Sequence, residues 1–245
     1  MHATPMVTLL CNVLACHPDK LEPCTHRGLS YNLFSKTNTG HFLLDDLLNL
    51  IYYKPERICN VGHPNMLDVL DYTPQTISNR PCNEGDFLYY GFYQTQNLNF
   101  ARVKNRIRIA HHTEGDLNVL WRFVDNALAK HCPNAKRQNN GVLHIKRRPR
   151  FGRAVPNTVV LPTKSTQIEV DVAKNTTMQW LCKIAAHSVV VAPWGSELAL
   201  PVVASVPFVA LMNDYVDAFY YPAIISRGVR FVRLYMNSTP NVRKP

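Results

Sequence analysis

The sequence has no long apolar run, little glycine and few acidic residues. No apolar stretch approaches the roughly 20 residues that a membrane-spanning helix needs, so we predict no transmembrane segment. Only 10 of the 245 residues are glycine, which excludes collagen-like and glycine-rich low-complexity proteins. The 27 Lys and Arg residues outnumber the 17 acidic residues, so the formal net charge is +10. That charge predicts an anionic partner, and composition leaves nucleic acid, acidic lipid and a phosphorylated small molecule open.

The seven cysteines include no Cys-x-x-Cys pair, and their odd number excludes complete internal pairing. A group of Cys and His residues near the N-terminus lacks the spacing of a zinc finger or ribbon, so we interpret it as buried thiols or disulfides. These residues are Cys11, Cys16, His17, Cys24 and His26. Cys182 lies in an apolar helical pattern and is predicted to be a small buried residue. We predict no metal site.

The second half of the chain alternates predicted strands with predicted helices. Apolar runs and alternation predict strands over 142–146, 167–172, 188–192, 206–212 and 229–235. Helical spacing predicts helices over 176–187, 197–204 and 214–226, the first with a capping box of Thr176 and Gln179. This order indicates a parallel sheet covered by helices, a fold that binds ligands at the carboxyl ends of its strands.

The first half is less regular. Apolar spacing predicts helices over 40–53 and 114–131, and aromatic or alternating segments predict strands over 87–93 and 100–110. The Asn- and Pro-containing stretch between residues 130 and 141 is the best candidate for a boundary between domains. We therefore predict an N-terminal domain of residues 1–133 and a C-terminal domain of residues 134–245.

A buried strand over 188–192 is followed by the turn Pro193-Trp194-Gly195-Ser196 and then by Glu197-Leu198. Backbone N–H groups at the start of the following helix would be unsatisfied, and Ser196 could donate its hydroxyl proton, so this turn could bind a phosphate. An ordinary strand–helix turn is the alternative interpretation.

The strand over 142–146 is followed by an arginine-rich loop. From residue 136 to residue 153 there are seven basic residues and no acid: Lys136, Arg137, Lys146, Arg147, Arg148, Arg150 and Arg153. Guanidinium groups bind phosphate oxygens in a bidentate manner and remain charged. If the strand belongs to the same sheet as the Trp194 turn, both segments lie at one carboxyl edge. A solvated basic loop or a nucleic-acid-binding patch is the alternative.

The segment Asn38-Thr39-Gly40-His41 precedes the leucine-rich helix that contains Asp45 and Asp46. His41 and Asp45 are four residues apart, so on a helix they share a face. In the first turn of the helix the imidazole would be kept neutral and could act as a general base. A histidine with only a structural hydrogen bond is the alternative.

These segments, in this order, resemble glycosyltransferase family 61. The family has an Asn-Gly-His segment before an acidic leucine-rich helix, an aromatic and basic helix like residues 120–125, and a strand with Ile-x-Arg, a second arginine and an asparagine. Ile145, Arg147, Arg153 and Asn157 match that third motif. The family's Pro-His-Gly-Ala-Gly-Leu corresponds to residues 193–198, with Trp194 in place of histidine and Glu197 in place of glycine. The similarity covers about residues 35–236.

The resemblance implies a GT-B architecture, in which two Rossmann-like domains with mainly parallel sheets face each other. It implies an inverting, metal-independent hexosyl- or pentosyltransferase that moves a sugar from a UDP-sugar to a glycan or glycoprotein hydroxyl, with no cofactor. His41 and Asp45 would be catalytic. The donor-binding residues would be Arg147, Arg153, Asn157, Trp194, Gly195, Ser196, Glu197 and Asp214, the last being the acid nearest to the strand over 206–212.

The resemblance also implies a site in the lumen of the Golgi or the endoplasmic reticulum. Two N-glycosylation sequons, at Asn175 and Asn237, are compatible with that compartment, although no clear targeting signal is present. Two other functions are alternatives. One is a catalytically inactive family member that acts as a binding protein, since the glycine-rich motif is degenerate. The other is a basic nucleic-acid-binding protein, for which no known module is recognisable, so no specific nucleic acid is expected.

Overall fold

Parallel β-sheets and packed helices make up the part of the chain that the computed structural model describes, residues 30–33, 36–82, 87–88, 114–146, 165–171, 173–212 and 221–235. The predicted α/β class is confirmed. Within these ranges, no helix combines the length and the apolar character needed to cross a bilayer.

The first sheet has four short strands in the order β3-β2-β1-β4, all parallel. Tyr31 in β1 and Ile58 in β2 are aligned in register and completely buried, so the sheet is covered where these two strands meet. The strands are β1 (Ser30–Asn32), β2 (Arg57–Cys59), β3 (Thr76–Ile77) and β4 (Phe87–Leu88).

A long helix, α1, connects β1 to β2 and has three segments. Thr39–His41 is α-helical, Phe42–Asp46 is π-helical and Leu47–Tyr53 is α-helical. The helix predicted over 40–53 is therefore confirmed in position. Its π-helical segment was not predicted, because the apolar spacing over 40–53 does not distinguish α-helical from π-helical hydrogen bonding. The helix ends where Lys54 adopts a left-handed conformation.

The second sheet has five parallel strands in the order β6-β5-β7-β8-β9. The parallel sheet predicted for the second half is therefore confirmed. Its central strand β7 is a run of valines that is buried along most of its length, as expected for a strand covered on both faces. The strands are β5 (Val142–Lys146), β6 (Thr166–Glu169), β7 (Val189–Pro193), β8 (Phe208–Met212) and β9 (Phe231–Tyr235).

Helices separate most of these strands. In α4 the predicted capping box is present: the Thr176 hydroxyl accepts from the Gln179 backbone, and the Gln179 side chain accepts from the Thr176 backbone. The helices are α2 (Glu114–His131), α3 (Ala135–Gln138), α4 (Thr177–Ala185), α5 (Ala199–Val203) and α6 (Tyr221–Arg227), with 3-10 turns at Pro64–Met66 and Ser196–Leu198.

Two predicted elements are shorter than expected. The strand predicted over 167–172 stops at Glu169, because Asp171 accepts hydrogen bonds from the backbone of residues 173–175 and so starts a turn. The helix predicted over 197–204 is a 3-10 turn followed by the five residues of α5. The predicted strand over 100–110 lies outside the described residues, as do most of that over 87–93 and the start of the helix over 214–226.

Two disulfides join described segments, Cys59 to Cys82 and Cys132 to Cys182. The prediction that Cys182 is a small buried apolar residue was wrong, because its side chain is half-buried and bonded to the cysteine that follows α2. The apolar helical spacing around Cys182 contains no information about a partner 50 residues away. The N-terminal Cys and His group lies outside the described residues.

Several polar contacts connect the first half of the chain to the second. Asp68 accepts hydrogen bonds from the Met178 N–H at 3.1 and 3.2 Å, at the start of α4, and the Thr177 hydroxyl donates to the Met66 carbonyl at 3.1 Å. A carboxylate at a helix N-terminus is favourable. The buried core is continuous across the two sheets. The domain boundary at residues 133/134 stays a prediction.

Arg227 joins α6 to α2. Its guanidinium donates two hydrogen bonds to the Asp125 carboxylate, at 2.9 and 2.6 Å, and one to the Val203 carbonyl at 3.3 Å. It also lies 5.2 Å from the centre of the Trp121 ring. Bidentate pairing and the aromatic contact together suit arginine and would not suit lysine.

We expect Arg227→Ala to lower the free energy of unfolding by about 2 kcal/mol, because it removes charged hydrogen bonds from a nearly buried side chain. Urea denaturation measures this change. Arg230→Ala, at an exposed position, is the matched control and should change stability by less than about 0.5 kcal/mol. Equal effects of the two substitutions would contradict a specific role for the Asp125 pair.

Candidate active site

The candidate site begins with the N-terminal end of α1. Asn38 is the N-cap: its side-chain Oδ1 accepts hydrogen bonds from the Gly40 N–H at 3.0 Å and from the His41 N–H at 3.2 Å. Asparagine is among the preferred residues at this position because it satisfies backbone donors that no helical carbonyl can reach. The cap therefore fixes where His41 enters the helix.

His41 and Asp45 form a hydrogen-bonded pair. The distance from His41 Nδ1 to Asp45 Oδ2 is 2.7 Å, across the junction between the α-helical and π-helical segments. The His41 side chain is 39% exposed, whereas that of Asp45 is 3% exposed. A carboxylate bonded to Nδ1 fixes the ring orientation and the tautomer, and it leaves Nε2 as the nitrogen that can accept a proton.

The Asp45 side chain is buried. Burial raises the pKa of this carboxyl, and the hydrogen bond to His41 and the charge of His41 act in the opposite direction. Its second oxygen, Oδ1, has no hydrogen-bond partner among the described residues. A carboxylate in this position is held in place by His41 and would stabilise the imidazolium that forms when His41 accepts a proton.

Buried polar groups hold the same helix against β1. The Tyr31 hydroxyl donates to Asp46 at 2.9 Å and lies 3.3 Å from the Asn49 amide nitrogen. The Asn49 amide also donates to the Asp45 carbonyl at 3.1 Å. All four side chains are at most 3% exposed. A helix anchored in this way keeps its two carboxyl groups at fixed positions.

The second part of the site is the turn after β7. The Trp194 N–H donates to the Leu211 carbonyl at 2.9 Å, and the Trp194 side chain is packed in the core. Gly195 has φ 154° and ψ −163°, a combination that only glycine adopts readily. Ser196 is nearly buried and Glu197 is half-buried. The helix that follows this turn, α5, has only five residues and is shorter than the helix predicted over 197–204.

These two parts are in direct contact. The Asn38 amide donates to Ser196 Oγ at 3.0 Å. Gly40 packs so closely that a Cβ atom at this position would overlap the Ser196 carbonyl group. Asn38 follows the carboxyl end of β1 and Ser196 follows the carboxyl end of β7. The loops at the carboxyl edges of the two parallel sheets therefore meet beside His41.

The arginine loop starts at the same edge of the second sheet. Strands β5 and β7 are parallel neighbours, with His144 opposite Val191, and they end at Lys146 and Pro193 respectively. The remaining predicted donor-binding residues lie outside the described residues, so their positions relative to the turn stay predictions. They are Arg147, Arg153, Asn157 and Asp214.

His144 adds no positive charge at this edge. It lies on the same face of β5 as Lys146, and burial lowers the pKa of its imidazole, with the charge of Lys146 as the second cause. A neutral imidazole in the strand therefore precedes an exposed ammonium group at its end. Among the described residues of β5, Lys146 supplies the positive charge at this edge, and Arg147 follows it in the sequence.

The sequence analysis did not identify Asn38 and Gly40 as site residues. Asn38 and Ser196 are 158 residues apart in the sequence, and helical spacing contains no information about such distant pairs. A local signal was present: an N-cap asparagine and a glycine directly before a candidate base. Among the described residues, no group of three or more His, Cys, Asp or Glu side chains could hold a metal ion.

We expect Gly40→Ala to destabilise the protein by about 2 kcal/mol, since the new methyl group forces the start of α1 away from the Ser196 backbone. Thermal or urea unfolding measures the change. Thr37→Ala is the matched control at an exposed position nearby and should be close to neutral. Unchanged stability of Gly40→Ala would show that the two loops are not in contact.

The raised pKa of Asp45 predicts that the stability of the protein depends on pH in a specific direction. The pKa of Asp45 in the folded protein is raised above the ordinary value of 3.8, so the unfolded protein ionises first as the pH rises. The free energy of unfolding therefore falls as the pH rises from about 3.8 through the folded pKa. Above that window the loss is constant. Asp45→Asn cannot ionise, so the stability of the wild type relative to this variant should fall across the window. Urea denaturation of both proteins at a series of pH values tests this, and a difference that rises with pH would contradict it.

No protein-family model matches this chain, and no curated protein matches it significantly. The roles of its residues are therefore inferred from their geometry and from the motif resemblance described above.

Proposed function

We propose that this protein is an inverting, metal-independent glycosyltransferase of GT-B architecture that transfers a hexosyl or pentosyl group from a UDP-sugar to a hydroxyl of a glycan or glycoprotein. His41 is the general base, and Asp45 orients it. The turn at Gly195 and Ser196, together with Arg147 and Arg153, binds the diphosphate of the donor. Golgi or endoplasmic reticulum lumen is the proposed compartment.

The contact between α1 and the Ser196 turn carries this proposal. A transfer reaction needs a base beside the acceptor and an anion-binding group beside the leaving diphosphate, within the length of one sugar ring. His41, which is paired with Asp45, comes only three positions after Asn38, and Asn38 is hydrogen-bonded to Ser196. Neither the hydrogen-bonded pair of His41 and Asp45 nor the Ser196 turn would, by itself, favour a transferase over an ordinary structural role.

The proposed reaction is a single displacement. His41 Nε2 removes the proton from the acceptor hydroxyl while its oxygen attacks the anomeric carbon of the donor. The bond between that carbon and the β-phosphate oxygen breaks, and UDP leaves with the bonding electron pair. The proton remains on His41, where the Asp45 carboxylate stabilises the imidazolium. Inversion at the anomeric carbon follows from attack opposite the leaving group.

The leaving diphosphate gains negative charge in the transition state, so positive groups must be placed where that charge develops. The run of basic residues that begins with Lys146 follows β5 at the edge where β7 also ends. Arginine is suited to this role because its planar fork can donate two hydrogen bonds to phosphate oxygens. The family resemblance attributes the same role to Arg147 and Arg153.

Disulfides support the proposed compartment. Cys59–Cys82 and Cys132–Cys182 persist in oxidising environments such as the secretory pathway and are rare in the cytosol. Asn175, in one of the two sequons, lies just before the N-cap of α4 and is partly exposed. Both features suit a lumenal glycoprotein.

The turn itself favours a second candidate, a catalytically inactive binding protein of the same architecture. Trp194 replaces the family's histidine and is packed in the core, 2% exposed, where it offers little surface to a ligand. Glu197 places a carboxyl group beside the proposed diphosphate position, which is electrostatically unfavourable. This candidate predicts that UDP binds and that no sugar is transferred.

We expect UDP to bind saturably and Arg147→Ala to weaken binding about tenfold or more, because a charged hydrogen-bonding partner of the diphosphate is lost. Isothermal titration calorimetry with UDP, UDP-sugars and a short oligonucleotide measures this. Arg230→Ala is the control and should bind like the wild type. Binding of the oligonucleotide alone, with strong salt dependence, would instead indicate a nucleic-acid-binding protein.

We expect His41→Ala to lower the rate of sugar transfer, or of donor hydrolysis, by roughly 10²- to 10⁴-fold while the affinity for UDP changes little, because the base acts only in the chemical step. His131→Ala, at the exposed end of α2, is the matched control. Saturable UDP binding without turnover in the wild type would support the inactive binding protein. Equal activity of His41→Ala and the wild type would exclude His41 as the base.

A further inference from the structure

We infer that Asn38 is a positioning residue that directs the hydroxyl proton of Ser196 toward an oxygen of a bound phosphate group, and so joins ligand binding to the helix that carries His41. This inference rests on the proposed function and assigns to Asn38 a role that the family resemblance does not imply. It follows from the donors and acceptors of the two side chains.

The orientation of the Asn38 amide is determined by its neighbours. Its oxygen accepts from the Gly40 and His41 N–H groups at 3.0 and 3.2 Å, so the opposite end, which faces Ser196, is the NH₂ group. The reversed orientation would place two amide donors against two backbone donors. Asn38 therefore must donate to Ser196 Oγ and cannot accept from it.

This hydrogen bond leaves the Ser196 proton available to a ligand. A hydroxyl has one proton and two lone pairs, and the Asn38 amide occupies one lone pair at 3.0 Å. Among the described residues, the Ser196 hydroxyl has no second hydrogen-bond partner, although its residue is only 8% exposed. A nearly buried O–H group without an acceptor is unfavourable, and an anionic oxygen of a ligand would satisfy it.

Two glycines restrain the residues that form the hydrogen bond between Asn38 and Ser196. Gly40 packs against the Ser196 carbonyl, so the helix start cannot approach the turn more closely. Gly195, directly before Ser196, has the conformation that turns the chain out of β7. The Ser196 hydroxyl is consequently held in place from both sides and needs little reordering when a phosphate binds.

A double-mutant cycle tests the inference. Asn38→Ser keeps a residue that caps helices but is too short to reach Ser196, and Ser196→Ala removes the hydroxyl. The dissociation constants of UDP and of inorganic pyrophosphate would be measured for the wild type, both single variants and the double variant. Asn140→Ser, an exposed asparagine outside the site, is the control and should bind like the wild type.

We expect Ser196→Ala to weaken binding about tenfold and Asn38→Ser about fivefold. The double variant should be about tenfold weaker than the wild type, because Asn38 acts through the hydroxyl that is already absent. The NMR signals of the His41 ring should be unchanged in Asn38→Ser, since serine also caps the helix. A general structural defect would move those signals.

Each other outcome decides a different question. Multiplicative losses, about fiftyfold in the double variant, would show that the two residues act independently and would overturn the inference while UDP binding stands. If pyrophosphate binds and UDP binds no more tightly, the nucleotide-sugar function fails, and the cycle measured with pyrophosphate still decides the role of Asn38. If neither ligand binds the wild type, both proposals are overturned.

Discussion

The close approach of Gly40 to the Ser196 backbone is the constraint on which the candidate site depends. It brings the loop after β1 into contact with the loop after β7, so that residues from the carboxyl edges of two different parallel sheets are adjacent. The Asn38 side chain then uses both ends of its amide, one for the helix cap and one for Ser196. With any larger residue than glycine, the start of the helix that carries His41 and the turn would have to separate.

Most of the second half could be predicted from the sequence because its elements are strongly periodic. The valine run of β7, the capping box of α4 and the strand over 142–146 each contain a local signal that tertiary contacts did not override. The end of β6 could have been placed by giving Asp171 its usual weight as a turn residue. The disulfide of Cys182 could not, since it depends on how α2 packs against α4.

The site shows the same division between local and long-range information. The pairing of His41 with Asp45 could be predicted from a spacing of four residues on a helix, and the structure places these side chains 2.7 Å apart. The hydrogen bond of Asn38 to Ser196 joins residues far apart in the sequence, and no periodic pattern encodes it. The π-helical segment is also invisible to apolar spacing, and such segments often occur at functional positions.

The polar contacts between the two halves have a consequence for how ligands would enter and leave. A rigid hinge rotation of one sheet away from the other would have to break the hydrogen bonds between Asp68 and Met178 and between Thr177 and Met66, in addition to exposing a continuous core. The free energy required makes a wide clamshell opening unfavourable. A ligand would therefore enter and leave through small movements of individual loops, while the two sheets stay packed against each other.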